Sequence, residues 1–219
     1  MPRKKHIKNR AIPVSQLQNM RFDEFEELPP EWAAHLGDLP ECTGVWFIYG
    51  DKGNGKTNYS MMLAKQTSRE KKTAYNSLEE GTRKSFALAV KRHSMGQIKR
   101  NMFLPLNKEP LDELIERLRS KSRPPKVVFI DSLQMSLLNK RTYVALKNEF
   151  AHKVLFIFLS HEQNGKPKGD FAEFVAYDAD IVIRVKWFKA LVEKTRYENG
   201  GAPIVIYEKK AKEKWAEIE

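Results

Sequence analysis

The chain has 219 residues, with 39 Lys and Arg against 28 Asp and Glu, a formal net charge of +11. That length allows one α/β domain with a substantial core and excludes two full ones, while the single cysteine, Cys42, excludes an intramolecular disulfide and a multi-cysteine zinc site. No apolar stretch approaches the ~18 residues of a membrane span and there is no N-terminal signal core; a cytoplasmic protein is expected, whose basic balance suits a polyanion, nucleic acid first.

Residues 1–13 open with Met1 to Arg10, which holds five cations and no acid. Such a run does not bury itself and reads as a flexible basic arm, either solvated or touching nucleic acid. Residues 14–43 mix acids with Leu17, Met20, Phe22, Phe25, Leu28, Trp32 and Leu36, broken by Pro29-Pro30. This apolar content needs a surface to cover: the domain's own sheet, or a neighbouring subunit on which the segment docks.

From Gly44 to residue 208 the rhythm becomes strand, helix, strand, helix, the sign of a mainly parallel sheet flanked by helices. Val45-Trp46-Phe47-Ile48-Tyr49 is a short apolar run that reads as a buried strand. It leads into Gly50-Asp51-Lys52-Gly53-Asn54-Gly55-Lys56-Thr57, which fits the phosphate-loop pattern G-x-x-x-x-G-K-[ST] without a mismatch. Asn58 to Lys65 follows as a helix. The three glycines let backbone N–H groups converge on a polyphosphate, and the helix N-terminus behind them adds positive potential. Lys56 is placed to reach the β- and γ-phosphates and the Thr57 hydroxyl to ligate Mg²⁺. The motif therefore predicts a bound nucleoside triphosphate, ATP with Mg²⁺.

Thr73 to Leu78 reads as the second strand and Arg83 to Arg92 as the next helix. Pro110 opens a helix whose Leu111, Leu114, Ile115 and Leu118 share one face. Val127 to Ile130 and Val154 to Leu159 are near-continuous apolar strands, suited to the centre of a covered parallel sheet, with a helix over Tyr143 to Phe150 between them. Asp180 to Val185, the segment through Val192, and Ile204 to Tyr207 read as edge strands; the last pair, separated by Asn199-Gly200-Gly201, is expected to form a β-hairpin. Residues 209–219 form a basic tail or a short helix.

Asp131 ends the third apolar strand, where a phosphate-loop site needs a carboxylate for Mg²⁺; an aspartate there otherwise caps the following helix. The residue after it is Ser132, so no carboxylate directly follows to activate water. The best remaining base is Glu79, at the end of the second strand, with Glu80 as the competing choice; either is otherwise a first-turn acid of a helix.

The phosphate loop, Ser77-Leu78-Glu79 and Ile130-Asp131-Ser132-Leu133-Gln134 together resemble the RecA superfamily of P-loop ATPases, most closely its RadA and DnaB branch. Ser160-His161, Gly165-Lys166-Pro167-Lys168-Gly169, Asp178 to Val182 and Lys194-Thr195-Arg196-Tyr197 are similar to later elements of that branch. The resemblance covers roughly residues 44 to 207, an ATPase core without the zinc, protease-like or helicase N-terminal modules of those proteins. It implies that Glu79 activates water and that His161 senses the γ-phosphate. It also implies that Lys194 and Arg196 reach across a subunit boundary to the neighbour's nucleotide. The loop from Glu162 to Asp170 would face a central channel and grip DNA through Lys166 and Lys168, attraction that is sequence-blind and salt-sensitive.

The expectation is a RecA-like ATPase that acts on DNA, single-stranded first, as a homo-oligomeric ring or filament, in replication or recombination with a partner protein. A regulatory ATPase that switches protein contacts without DNA is the alternative. A monomeric small-molecule phosphotransferase is the third class, and the Lys-x-Arg element argues against it.

Overall fold

The computed structural model describes residues 11–216. In chain order the elements are α1 (Val14–Gln18), α2 (Pro30–Leu36), β1 (Gly44–Gly50), α3 (Lys56–Glu70), β2 (Thr73–Ser77), α4 (Lys84–Arg92), β3 (Phe103–Asn107), α5 (Leu111–Arg119), β4 (Val127–Asp131), α6 (Lys140–Phe150), β5 (Leu155–Gln163), β6 (Lys166–Pro167), α7 (Asp170–Asp178), β7 (Ile181–Lys186), β8 (Lys189–Lys194), β9 (Ile204–Val205) and α8 (Glu208–Ala216). The sheet runs β3-β2-β4-β5-β1-β7-β8-β9, with β6 paired to β5. Its strands are parallel from β3 through β7, and β8 and β9 add antiparallel.

Two cores sandwich this sheet. Strand alternation sends Trp46 and Ile48 to one face, where α3 and α4 add Tyr59, Met61, Leu63 and Phe86. It sends Val45, Phe47 and Tyr49 to the other, where α5, α6 and α7 add Leu114, Leu118, Tyr143, Phe150 and Val175. The helix after β1 thus covers one face and α7, which leads into β7 on the other side of β1, covers the opposite one. β1 therefore stands at the switch point of an open α/β sheet, where a crevice opens beyond the carboxyl ends of the strands.

The 14–43 segment divides. Phe25, Trp32 and Leu36 are fully buried in the first core, so this stretch pads the domain's own sheet. Val14, Leu17, Met20 and Phe22, before it, remain exposed. Cys42 is buried and donates to the carbonyl of Asp23, and burial pushes its thiol up to about 12. Glu208–Ala216 form a helix, α8, which packs Trp215 edge-on to Trp187, and residues 217–219 of the expected tail lie outside the described residues. The basic arm expected over 1–13 lies, for residues 1–10, outside the described residues.

Two expectations are corrected and a third, the C-terminal hairpin, is made more exact. Asp180 to Val185 is not an edge: β7 lies between β1 and β8 with Ile181, Ile183 and Val185 fully buried. β8 and β9 do pair antiparallel, but over two residue pairs only. A tighter hairpin, β7–β8, precedes it and turns through Trp187 (φ 46°) and Phe188 (φ 61°). The polar loop from Glu162 to Asp170 is also more ordered than its composition suggests. β5 continues to Gln163, turns through Asn164-Gly165 with positive φ at both, and returns as β6. That two-residue Asn-Gly turn matches the right-handed twist of its strands.

Candidate functional site

The phosphate loop begins where β1 ends. A Cβ on Gly50 would collide with the carbonyl of Val185 on β7, so only glycine lets the loop leave the sheet there. Gly55 takes φ 102° directly before α3, leaving the first-turn N–H groups of that helix open to a ligand. The loop is braced from the β7–β8 turn. Trp187 N–H donates to the Asn54 side chain (3.2 Å) and Phe188 N–H to the Asn54 carbonyl (3.2 Å). The Lys56 ammonium folds back onto the carbonyls of Gly50 (2.7 Å) and Asp51 (3.0 Å). Burial pulls its pKa down, opposed by Asp131, Asp51 and Glu79.

Beside the loop the parallel register brings the ends of β2, β4 and β5 into line: Ser77 faces Asp131, and Asp131 faces Leu159. Burial raises the Asp131 carboxyl to about 6; the Tyr75 hydroxyl that donates to it (2.8 Å) and Lys56 oppose the rise, and Glu79 adds to it. Just past β2, the N–H groups of Leu78 (2.6 Å) and Glu79 (3.1 Å) donate to the Asp131 carbonyl. Glu79 Oε2 lies 3.3 Å from His161 Nε2. Glu80 turns toward α4, accepting from the Ser85 hydroxyl at 3.0 Å. The result is a cleft of about 720 Å³ holding Lys56, Thr57, Glu79, Asp131, His161 and Lys168 among its walls.

Lys168 thus lines this cleft, and its N–H donates to the His161 carbonyl at 2.9 Å. Lys166 is exposed on β6 and is not among the residues lining the cleft. Lys194 and Arg196 are elsewhere. Lys194 pairs with Val182, itself opposite Phe47, three residues before Gly50. Arg196 pairs with Asp180 (2.9 Å), whose other oxygen accepts from Val45 N–H at the start of β1. Both therefore sit toward the amino ends of the parallel strands, away from their own phosphate loop.

Several site residues are given no role by the sequence reading. Gln134 donates to Ser160 (2.7 Å) and accepts weakly from His161 N–H (3.4 Å), joining the turn after β4 to the end of β5. A second cavity, about 450 Å³, adjoins the loop between Asn58, Arg92, His93, Phe188, Tyr207 and Lys210. There Arg92 (2.7 Å) and His93 (3.1 Å) converge on the Asn58 carbonyl oxygen, fixing which way its amide points. Only assembly of α3, α4, the β7–β8 turn and α8 brings these residues together.

The donor set fits Mg²⁺. Among the described residues no three His, Cys, Asp or Glu side chains converge as a cage. Mg²⁺ needs none, taking one or two protein oxygens together with waters and substrate phosphates. Thr57 and Asp131 supply a hydroxyl and a carboxylate, and a cation beside Asp131 would favour the ionised form that burial disfavours.

No family model and no curated protein matches the chain. Solved structures do. The chain is similar to the flagellar accessory protein FlaH from Methanocaldococcus jannaschii, with 15% identity and a TM-score of 0.58 over 84% of this chain and 100% of that one. A KaiC-like protein from Pyrococcus horikoshii gives 19% and 0.58 over 84% and 93%. The RadB recombinase gives 17% and 0.54 over 83% and 95%. These are RecA-superfamily P-loop ATPases, and this chain has their fold.

Proposed function

We propose that this chain is an ATPase that binds Mg²⁺·ATP in the cleft at the end of β1 and acts on DNA, single-stranded first, as an oligomer. The observation that carries the reading is the meeting of Lys56, Thr57, Glu79, Asp131 and His161 around one cleft in a RecA-like sheet. The loop amides and Lys56 hold the β- and γ-phosphates, giving up the Gly50 and Asp51 carbonyls that Lys56 now contacts. Thr57 and Asp131 hold Mg²⁺, which when bound neutralises charge on the phosphate oxygens. Glu79 takes the proton of the attacking water. His161, in contact with Glu79, meets the γ-phosphate side of the cleft and passes its presence or loss to the β5–β6 hairpin through Lys168. The adjoining cavity, about 450 Å³ with the aromatic walls Phe188 and Tyr207, takes the base. Among the described residues no helix is long and apolar enough to cross a membrane.

A second reading is an ATPase that switches protein contacts without DNA. It draws on Lys168, which lines the cleft although its side chain is exposed, leaving Lys166 as the hairpin cation outside the cleft. It also draws on the FlaH likeness, since that protein is a flagellar accessory protein.

One experiment separates the two: ATP turnover against protein concentration, with and without single-stranded DNA, across a salt series. The DNA reading expects turnover that rises with DNA and with assembly, and binding that weakens steeply with salt. Lys166→Ala should lower DNA affinity about equally for all sequences and reduce the salt slope by about one, with turnover in the absence of DNA retained. ATP turnover that ignores DNA at every salt concentration would favour the contact-switching reading.

A further inference from the structure

Tyr75 is a buried tyrosine in the middle of β2, where the sequence asks only for an apolar residue. Its ring is locked: it stacks on Phe129 with centroids 5.2 Å apart at 12°, and Phe86 packs at 5.4 Å. The hydroxyl is thereby delivered to one place, 2.8 Å from Asp131 Oδ2 and 2.8 Å from Ser60 Oγ. Ser60 Oγ in turn lies 3.1 Å from the carbonyl of Thr57. The proton count gives this chain a direction. An ionised carboxylate only accepts and a phenol has one proton, so Tyr75 donates to Asp131 and Ser60 donates to Tyr75. That places the one proton of Ser60 on Tyr75 rather than on the Thr57 carbonyl, so the buried link runs from Ser60 on α3, the helix that carries Thr57, to the carboxylate at the end of β4.

We infer that Tyr75 is a positioning residue for the metal site, holding the Asp131 carboxylate in a fixed rotation so that Oδ1 stays turned to Mg²⁺, with Ser60 tying that rotation to the helix of Thr57. Oδ1 has no hydrogen-bond partner among the described residues, whereas Oδ2 is taken by Tyr75. Partners of this kind orient a metal's ligands, and losing one typically costs about 10- to 100-fold in metal affinity or activity. The inference rests on the reading of this cleft as an Mg²⁺·ATP site.

Tyr75→Phe keeps the ring stack and removes only the hydroxyl. Mn²⁺ stands in for Mg²⁺, and its binding to the full chain with ATP is followed by electron paramagnetic resonance. Binding of a fluorescent ATP analogue in excess chelator, without divalent metal, is measured in parallel. Tyr75→Phe should weaken Mn²⁺ binding about tenfold and leave metal-free nucleotide binding within about twofold. Ser60→Ala should weaken Mn²⁺ binding in the same sense but less, and it carries the test if Tyr75→Phe does not fold. Unchanged Mn²⁺ affinity in the folded variants overturns the positioning role. So does an equal fall in metal-free nucleotide binding, which would mark general damage to the loop. A wild-type chain that binds neither nucleotide nor Mn²⁺, with Lys56→Ala indistinguishable from it, instead overturns the reading of the cleft itself.

Discussion

Two adjacent carboxylates, Glu79 and Glu80, differ only in what surrounds them. Both leave the end of β2, but Glu79 faces His161 across the cleft, while Glu80 is engaged by Ser85 at the approach to α4. General-base catalysis contributes about 10²- to 10⁴-fold, so Glu79→Gln should bind ATP normally and turn it over at least ~100-fold more slowly. Glu80→Gln should stay within about threefold of the wild type by the same measure. Steady-state kinetics with a parallel nucleotide-binding titration checks this, and the reverse pattern would move the base by one residue. What made Lys56, Thr57 and Asp131 legible from sequence is pattern: the loop chemistry demands glycines and a lysine at set intervals, and the carboxylate expected for the metal ends another apolar strand of the same sheet, β4, one strand removed from β1. Tyr75 and Phe188 follow no such spacing. A tyrosine inside a strand looks like core, and its hydroxyl acquires meaning only when β4 lies beside β2.

Among the elements, those with strong periodicity were readable and those defined by tertiary pairing were not. β1, β4 and β5 are runs of apolar residues, and α5 carries one clean stripe. β3 escaped because Pro105 interrupts it, a residue tolerated there since β3 is the outer strand of the sheet. α7 follows a glycine-rich polar stretch and starts after Gly169 with no capping side chain to announce it. The β7–β8 turn has two aromatic residues where Asn-Gly would announce a hairpin; Asn54 of the phosphate loop accepts both turn amides and offsets the backbone strain. The same dependence on neighbours explains α2. Its His35 is fully buried between Tyr59 on α3 and the Ala202 carbonyl in the segment after Arg196. These partners fix a neutral imidazole: Nδ1–H donates to Ala202 and Nε2 accepts from the Tyr59 hydroxyl. Burial lowers its pKa to about 4, opposed by the Ala202 carbonyl. The unfolded chain, titrating near 6.5, then binds the extra proton between pH 6.5 and 4. His35 therefore contributes full stability above pH 6.5 and loses about 3 kcal/mol of it as the pH falls to 4. Urea unfolding of His35→Gln should show lower stability at pH 7 but a flatter fall toward pH 4.5. An identical pH slope in the two proteins would mean that His35 is protonated in the fold.

At the scale of the whole molecule, the polarity of the sheet sets what one subunit can do alone. The cleft lies beyond the carboxyl ends of the parallel strands, and Lys194 and Arg196 lie toward the amino ends. An arginine so placed serves catalysis only in a neighbour's cleft, and a head-to-tail assembly of identical subunits repeats that contact at every interface. Arg196 is 60% exposed and held by a surface ion pair with Asp180, worth about 0–1 kcal/mol, so the neighbour's phosphates can draw it away at little cost. If it acts there, Arg196→Ala should bind ATP nearly as the wild type does and hydrolyse it about 10³-fold more slowly. Lys56→Ala should be inactive through its own loop while presenting an intact arginine. An equal mixture of the two, diluted to exchange subunits and then concentrated, pairs an intact loop with an intact arginine at about one interface in four under random, head-to-tail assembly. Turnover should therefore recover to about a quarter of the wild-type rate, from two proteins that are each nearly inactive. Recovery should vanish on dilution below the assembly concentration, which sedimentation of the same samples locates. Full activity of Arg196→Ala as a monomer at every concentration, with no gain on mixing, would remove the neighbour from the mechanism and leave a phosphotransferase that works alone.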